Sequence, residues 1–221
     1  MRDLAIVIVG RDAAPYVRQC LESISTTGSP RSSPEVIYVD NASRDETLPM
    51  LRERFPGVRS IANPENRGFC RAANQGAAIA DARYFAFLND DTIVLPGALD
   101  ILVEFLDATP GAGAVASRLL YPDGTDQWSG RRFPSPINAV LGRRSWLSRL
   151  FPNARPLADY LCREETRGTA PFVVDWVSAA AVMIRREAFE AVGGFAEDYY
   201  YWHEAVICDR IRRAGWRVFV E

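Results

Sequence analysis

The chain contains no lysine: all 26 of its basic residues are arginine. This removes lysine-based Schiff-base and general-base chemistry. A single histidine, His203, makes a His/Cys metal site or a Ser-His-Asp triad a poor expectation. The four cysteines, at 20, 70, 162 and 208, form no CxxC pair, so neither a zinc ribbon nor a thioredoxin-type site is indicated. Cys20 and Cys208 fall on helix-like faces and read as small buried hydrophobes. A reducing, cytosolic compartment is the expectation. No apolar run approaches the ~20 residues needed to span a bilayer. Met1 to Val9 has neither a basic lead nor a cleavage site, so a signal peptide is not expected. A net charge of -2 gives no general pull toward nucleic acid or anionic lipid. There is no G-x-G-x-x-G after the first strand and no G-x-x-x-x-G-K-[ST], which argues against a dinucleotide fingerprint and a P-loop.

Aliphatic and aromatic residues recur along all 221 positions, enough for a substantial core and against disorder. Leu4–Val9 is continuously apolar and β-branched, as suits a strand buried on both faces. Val36–Val39, Val58–Ala62, Tyr84–Leu88 and Ala114–Ser117 read as further strands. Between them lie helices, one opening at Pro15 with Tyr16, Val17, Cys20, Leu21 and Ile24 inward. Ser43 and Glu46 read as a capping box for the next, followed by helices over Gly68–Ala80 and from Pro96. This alternation predicts an α/β fold with a mostly parallel twisted sheet and helices on both faces. Residues 119–171 are rich in Pro and Gly and carry Arg131, Arg132, Arg143, Arg144 and Arg149, which suits either a binding loop or a solvated surface. Phe172–Ile184 reads as one strand, Arg185–Val192 and Glu204–Ala214 as helices, and Trp216–Val220 as a final strand. Without a linker or repeat, one domain over 1–221 is expected, regular over 1–118 and irregular from 119.

In such sheets ligands bind beyond the carboxyl ends of the strands. There the sequence places Arg11 and Asp12, Asp40 and Asn41, Asn63 and Asn66, and Asn89, Asp90 and Asp91, residues that also serve as turn formers and caps. The sharpest element is Leu88-Asn89-Asp90-Asp91-Thr92. Adjacent carboxylates at a crevice repel, and a divalent cation relieves the repulsion. With oxygen ligands only, Mg²⁺ or Mn²⁺ is the natural choice, completed by water and substrate phosphates.

Taken in order, IVIV…Asp12, VIYVDNAS, NPENRGFCRAANQG, FLNDDT, LYPDG and WVSAAAVMIRREAFEAVGGF resemble the family 2 glycosyltransferases, above all a rhamnosyltransferase-like branch. The resemblance covers nearly the whole chain. It implies a GT-A fold with its nucleotide-sugar-binding part at 1–118 and its acceptor and catalytic part at 119–221, a nucleotide-diphosphate-sugar donor, a divalent metal and inversion at the anomeric carbon. It implies that Asp40 holds the nucleobase, that Asp12 lies beside the nucleotide, and that Asn66, Arg67, Gly68 and Asn74 line the donor pocket. Asn89-Asp90-Asp91 matches the family's DxD-like element, with Asp91 the foremost metal ligand and Asp90 facing ribose or metal; Asn89 departs from aspartate. Trp176 and Ser178 would border the acceptor. The branch points to a dTDP- or UDP-sugar such as activated rhamnose, and to saccharide or lipid-linked acceptors of cell-surface polysaccharide synthesis. That implies a cytoplasmic protein with peripheral contact at the inner face of the cell membrane.

Two departures stand out. The family's expected base is the aspartate of a Glu-Asp pair, whereas here Glu204 is followed by Ala205. Glu204 acts as the base after a small shift, or Asp198 or Asp209 substitutes, or the chain binds donor without turning it over. His203 reads as a packing or acceptor-pocket residue, and the Tyr199–Trp202 aromatics as sugar-stacking or core residues. Family members also continue past the Trp216 strand with a segment able to supply a metal-binding histidine, and this sequence stops at Glu221. Both departures favour the alternative of an impaired nucleotide-sugar-binding module. A different phosphate-handling α/β enzyme, such as a nucleotidyltransferase, is the third reading. Oligomeric state is not readable.

Overall fold

The computed structural model describes residues 2–27, 33–133, 155–199 and 201–221. Strands β1 (Arg2–Gly10), β2 (Glu35–Asp40), β3 (Arg59–Ala62) and β4 (Ala82–Asn89) alternate with helices α1 (Ala14–Thr27), α2 (Thr47–Arg54) and α3 (Phe69–Ile79). Helix α4 (Ala98–Ala108) leads to β5 (Ala112–Ala116) and the short β6 (Gly130–Arg131). Helices α5 (Arg155–Tyr160) and α6 (Arg163–Arg167) precede β7 (Phe172–Val174), β8 (Trp176–Val177) and β9 (Ala181–Arg185). The described chain closes with α7 (Arg186–Ala191), α8 (His203–Arg213) and β10 (Arg217–Val220).

Eight of these strands form one sheet in the order β3-β2-β1-β4-β9-β5-β10-β7. All pairings are parallel except that β9 opposes both β4 and β5, and β7 opposes β10. Residues 4–8 are buried on both faces because β1 lies mid-sheet and helices cover each side. Leu4, Ile6 and Ile8 face a core with Tyr38, Leu88 and the inner stripes of α1, α2 and α4. Ala5 and Val7 face a second core with Val39, Phe85, Phe87 and helices α3, α7 and α8. Helix α3 reaches the sheet closely because its inner face is small: a Cβ on Gly76 would lie 2.5 Å from Val7 Cγ1 and 3.2 Å from Val39 Cγ2. Strand order runs 3-2-1 and then turns back to 4, so the ends of β1 and β4 flank a topological switch point, where such folds bind ligands.

Three local expectations are corrected. Tyr16 is 59% exposed, because the inward stripe of α1 is Ala14, Val17, Cys20, Leu21 and Ile24, and Tyr16 sits about 100° away from Val17. The segment 172–184 is three strands rather than one. It breaks at Asp175, whose carboxylate accepts from Phe133 N–H at 2.8 Å and pairs with Arg212 at 3.1 Å. Helix α2 starts at Thr47 with no side-chain cap from Glu46, so Ser43 and Glu46 are not a capping box. Asp45 does that work instead, accepting from the Thr47 N–H at 3.0 Å and hydroxyl at 2.6 Å. Within 119–171, Arg131 is 8% exposed and Arg132 pairs with Glu165 at 3.0 Å, so these two are not a solvated surface. Arg143, Arg144, Arg149 and Trp146 lie outside the described residues, as does Tyr200.

Candidate active site

The β1–α1 and β2–α2 loops lock together at the rim. Asp12 holds a left-handed backbone (φ 51°), and its N–H donates to Ser43 Oγ at 2.9 Å. Its Oδ1 accepts from the Arg44 N–H at 2.6 Å, and its Oδ2 lies 3.5 Å from Arg11. Asp40 ends β2 fully buried; its Oδ2 accepts from the Ser43 N–H at 2.9 Å. Its Oδ1 is buried without a hydrogen-bond partner among the described residues. A buried carboxylate oxygen left unpaired is costly, and a hydrogen-bond donor placed there would relieve that cost. Behind it, Asn41, Asn63 and Gln75 hydrogen-bond one another at 2.9–3.1 Å, and Asn41 Nδ2 donates to Gly68 O at 3.3 Å. These amides fix the loop leading to α3. Asn66 and Arg67 are exposed there, and Asn66 Oδ1 accepts from the Gly68 N–H at 2.9 Å. Gly68 takes φ +78°, a conformation that suits glycine, at the start of α3.

Asn89 closes β4 in its last ladder pair, with Val9, and Asp90 and Asp91 continue past it. Asp91 is exposed and Asp90 half-buried. Burial pushes the Asp90 carboxyl up to about 6, and Asp91 adds to the rise. Among the described residues no group of three or more His, Cys, Asp or Glu side chains is placed to hold a metal alone. Two adjacent carboxylates, one uncomfortable in its charged form, fit a hard cation that completes its shell with water and phosphate oxygens. Asp91 and Asp90 would hold it.

The segment that follows Trp176 and Ser178 reaches this loop at Ala180. Asn89 N–H and Thr92 Oγ1 both donate to Ala180 O at 3.0 Å. Ser178 Oγ accepts from the Ala180 N–H at 3.4 Å, and the Ser178 N–H donates to Ser129 O at 3.0 Å. Trp176 donates Nε1–H to Arg132 O at 3.1 Å; its ring lies 5.7 Å from Trp202 and under the Arg131 guanidinium at 5.9 Å. Glu204 opens α8, with Oε2 3.8 Å from His203 Nδ1. The His203 ring packs 4.7 Å from Phe69 at the head of α3. Cys70, one residue on, is pushed up to about 11 by burial, with Glu204 and Glu197 contributing. Asn74 does not face open space: its amide grips the backbone of Phe195.

The glycosyl transferase family 2 model matches residues 5–193. The chain belongs to that family. It is 32% identical over 239 aligned residues to an N-acetylglucosaminyl-diphospho-decaprenol L-rhamnosyltransferase of Mycobacterium tuberculosis, covering 96% of this chain and 71% of that protein. It is 30% identical over 203 residues to the O-antigen biosynthesis protein RfbC of Myxococcus xanthus, covering 89% of this chain and 15% of that protein. Among solved structures, a Pyrobaculum calidifontis mannosyltransferase in complex with GDP-Man and Mn²⁺ superposes with a TM-score of 0.68 at 22% identity, over the whole of this chain and 59% of that one. The S. aureus protein TarS, residues 1–349, gives 0.67 at 13% identity, over 99% of this chain and 58% of that one. The fold is that of the GT-A glycosyltransferases. The family 2 chain thus spans under two thirds of these structural neighbours.

Sequence reasoning missed the structural duty of Ser43, which ties Asp40 to Asp12, and the clip made by Asn74. It also missed Tyr38, although alternation along Ile37-Tyr38-Val39-Asp40 places Tyr38 and Asp40 on one face.

Proposed function

We propose that this chain is an inverting, divalent-metal-dependent glycosyltransferase. It moves a sugar from a nucleotide-diphosphate donor, a dTDP- or UDP-sugar such as activated rhamnose, to a hydroxyl of a saccharide or lipid-linked acceptor. The observation that carries this is the rim at the switch point, where the unpaired Asp40 Oδ1 and the Asp90–Asp91 pair stand at the ends of β2 and β4. The mycobacterial rhamnosyltransferase relative supports the rhamnose tilt.

On this reading Asp40 Oδ1 accepts an N–H from the nucleobase, and Asp12 with the 66–68 loop flanks the nucleotide. Asp91 and Asp90 would hold a divalent cation, which when bound would supply charge neutralisation for the departing diphosphate. Glu204 takes the proton from the acceptor hydroxyl. That oxygen forms its bond to the anomeric carbon as the bond to the diphosphate breaks, and the diphosphate leaves with the electron pair. Attack from the face opposite the leaving group inverts the centre. Trp176 and Trp202 offer the acceptor sugar an aromatic wall. No described helix is long and apolar enough to cross a membrane, so a lipid-linked acceptor would be met by peripheral contact.

The reading is tested by screening nucleotide sugars for Mn²⁺-dependent donor hydrolysis and transfer, in the wild-type chain and Asp91→Ala. Turnover by the wild type and its loss in the variant are expected; equal turnover in both rejects the assignment. A second reading, a donor-binding module without turnover, is favoured by Ala205, which follows Glu204 and is buried. Turnover that appears only in Ala205→Asp would support it.

A further inference from the structure

Gly10, Tyr38 and Asp90 come from three neighbouring strand ends. Register pairs Ile8 with Tyr38 and with Leu88, and Gly10 with Asp40. Side chains two residues apart share a face, so Gly10, Asp40 and Asp90 stand one step beyond Ile8, Tyr38 and Leu88 on the same side of the sheet. Gly10 leaves a gap there that is filled from both flanks. A Cβ built on it would sit on top of Tyr38 Oη and 2.5 Å from Asp90 Oδ2. Hydroxyl and carboxylate therefore converge over one backbone position.

The Tyr38 side chain is fully buried, and its hydroxyl has no hydrogen-bond partner among the described residues. Phenylalanine would pack the same space without that unsatisfied oxygen, so its presence calls for a partner. A phenol is a hydrogen-bond donor at neutral pH, and the carboxylates of Asp90, Asp40, Asp45 and Asp12 surround this one. Asp90 is the first of the acidic neighbours and the one that meets it over Gly10.

Resting on the reading that Asp90 and Asp91 hold a cation, we propose that Tyr38 is a positioning residue. Its hydroxyl donates to the Asp90 carboxylate when the nucleotide and cation enter, fixing the orientation in which Asp90 faces them. The hydroxyl lies inside the sheet's core and does not itself touch donor or metal. It supplies from below the hydrogen bond that a half-buried carboxylate needs to hold its charge.

The experiment is Mn²⁺ titration by calorimetry in the presence of UDP, on the full chain and Tyr38→Phe, with thermal midpoints in chelator as the folding control. The expected result is about a tenfold weaker Mn²⁺ affinity in Tyr38→Phe, as follows from losing one hydrogen bond to a charged group. In an Asp90→Asn background the same substitution is expected to change affinity less than twofold, because the two residues act as one unit. Unchanged Mn²⁺ affinity in a folded Tyr38→Phe overturns the proposal and leaves the active-site reading standing. If Tyr38→Phe does not fold, Asp90→Asn decides alone: Mn²⁺ affinity equal to wild type overturns it. A wild-type chain that binds no Mn²⁺ with UDP overturns both together.

Discussion

Asn74 on α3 holds both backbone groups of Phe195: its Oδ1 accepts the Phe195 N–H at 2.9 Å and its Nδ2 donates to the Phe195 carbonyl at 2.9 Å. One side-chain amide thus stands in for a strand neighbour. It ties the Gly193–Gly194 turn, and with it the approach to α8 and Glu204, to helix α3. Gly194 is required beside it, since its φ is +72° and a Cβ would lie 2.7 Å from Asn74 Oδ1. Asn74→Ala leaves a partly buried N–H and C=O unpaired, so a loss of about 1–3 kcal/mol in urea unfolding is expected. A loss under ~0.5 kcal/mol would show that the clip is incidental.

Gly10→Ala places a methyl where Tyr38 Oη and Asp90 Oδ2 meet. Overpacking at a buried site costs about 1–3 kcal/mol, and Asp90 is the softer of the two neighbours. The expected outcome is a lower thermal midpoint together with weaker nucleotide-diphosphate binding. Normal binding by a destabilised Gly10→Ala would separate the glycine from the site.

Asp90 sets a pH dependence of stability in metal-free buffer. Its folded-state pKa, raised to about 6 by burial and then Asp91, exceeds the unfolded value near 3.9. The folded state therefore binds the extra proton. The stability that proton confers is fully present below about pH 4 and lost as pH rises through about 6. Asp90→Asn removes the penalty of the ionised form, so it is expected to be more stable than wild type at pH 8. After allowance for partial exposure the gain is about 1 kcal/mol, or roughly 2–4 °C. The difference is expected to vanish at pH 4. A variant less stable than wild type at pH 8 in chelator contradicts the burial argument.

Glu204→Gln keeps the shape of the side chain and removes its basicity. A positioned base contributes roughly 10²–10⁴ in rate. Transfer is expected to fall by that range while UDP affinity, measured by calorimetry, stays within about twofold. Transfer that survives unchanged would move the base to Asp198 or Asp209.

The first half of the fold was legible because its strands are runs of β-branched and aromatic residues bounded by turn residues, and each helix carries one clean apolar stripe. The rim residues Asp12, Asp40 and Asn89–Asp91 were legible for the same reason, since a strand that ends in an acid shows where its crevice lies. The reversal of β9 between β4 and β5 was not, because pairing across nearly a hundred residues leaves no local trace. Nor was the break at Asp175, whose cause is the distant Phe133 N–H and Arg212. Ser43 carried a misleading local signal, since it resembled a helix cap, and nothing local marked the clip made by Asn74. Their actual partners, Asp12 and Phe195, come from other loops. Tyr38 was hidden by its own residue type, because a tyrosine in a buried strand reads as core.

The account rests on Asp91 gripping a cation that carries the donor's diphosphate. The most direct measurement is Mn²⁺-dependent hydrolysis of dTDP- and UDP-sugars by wild type and Asp91→Ala, run alongside Mn²⁺ titration of both proteins with UDP present. The account predicts turnover and saturable Mn²⁺ binding in the wild type, and the loss of both in the variant. Turnover in Asp91→Ala equal to wild type, or undiminished by chelator, would contradict it.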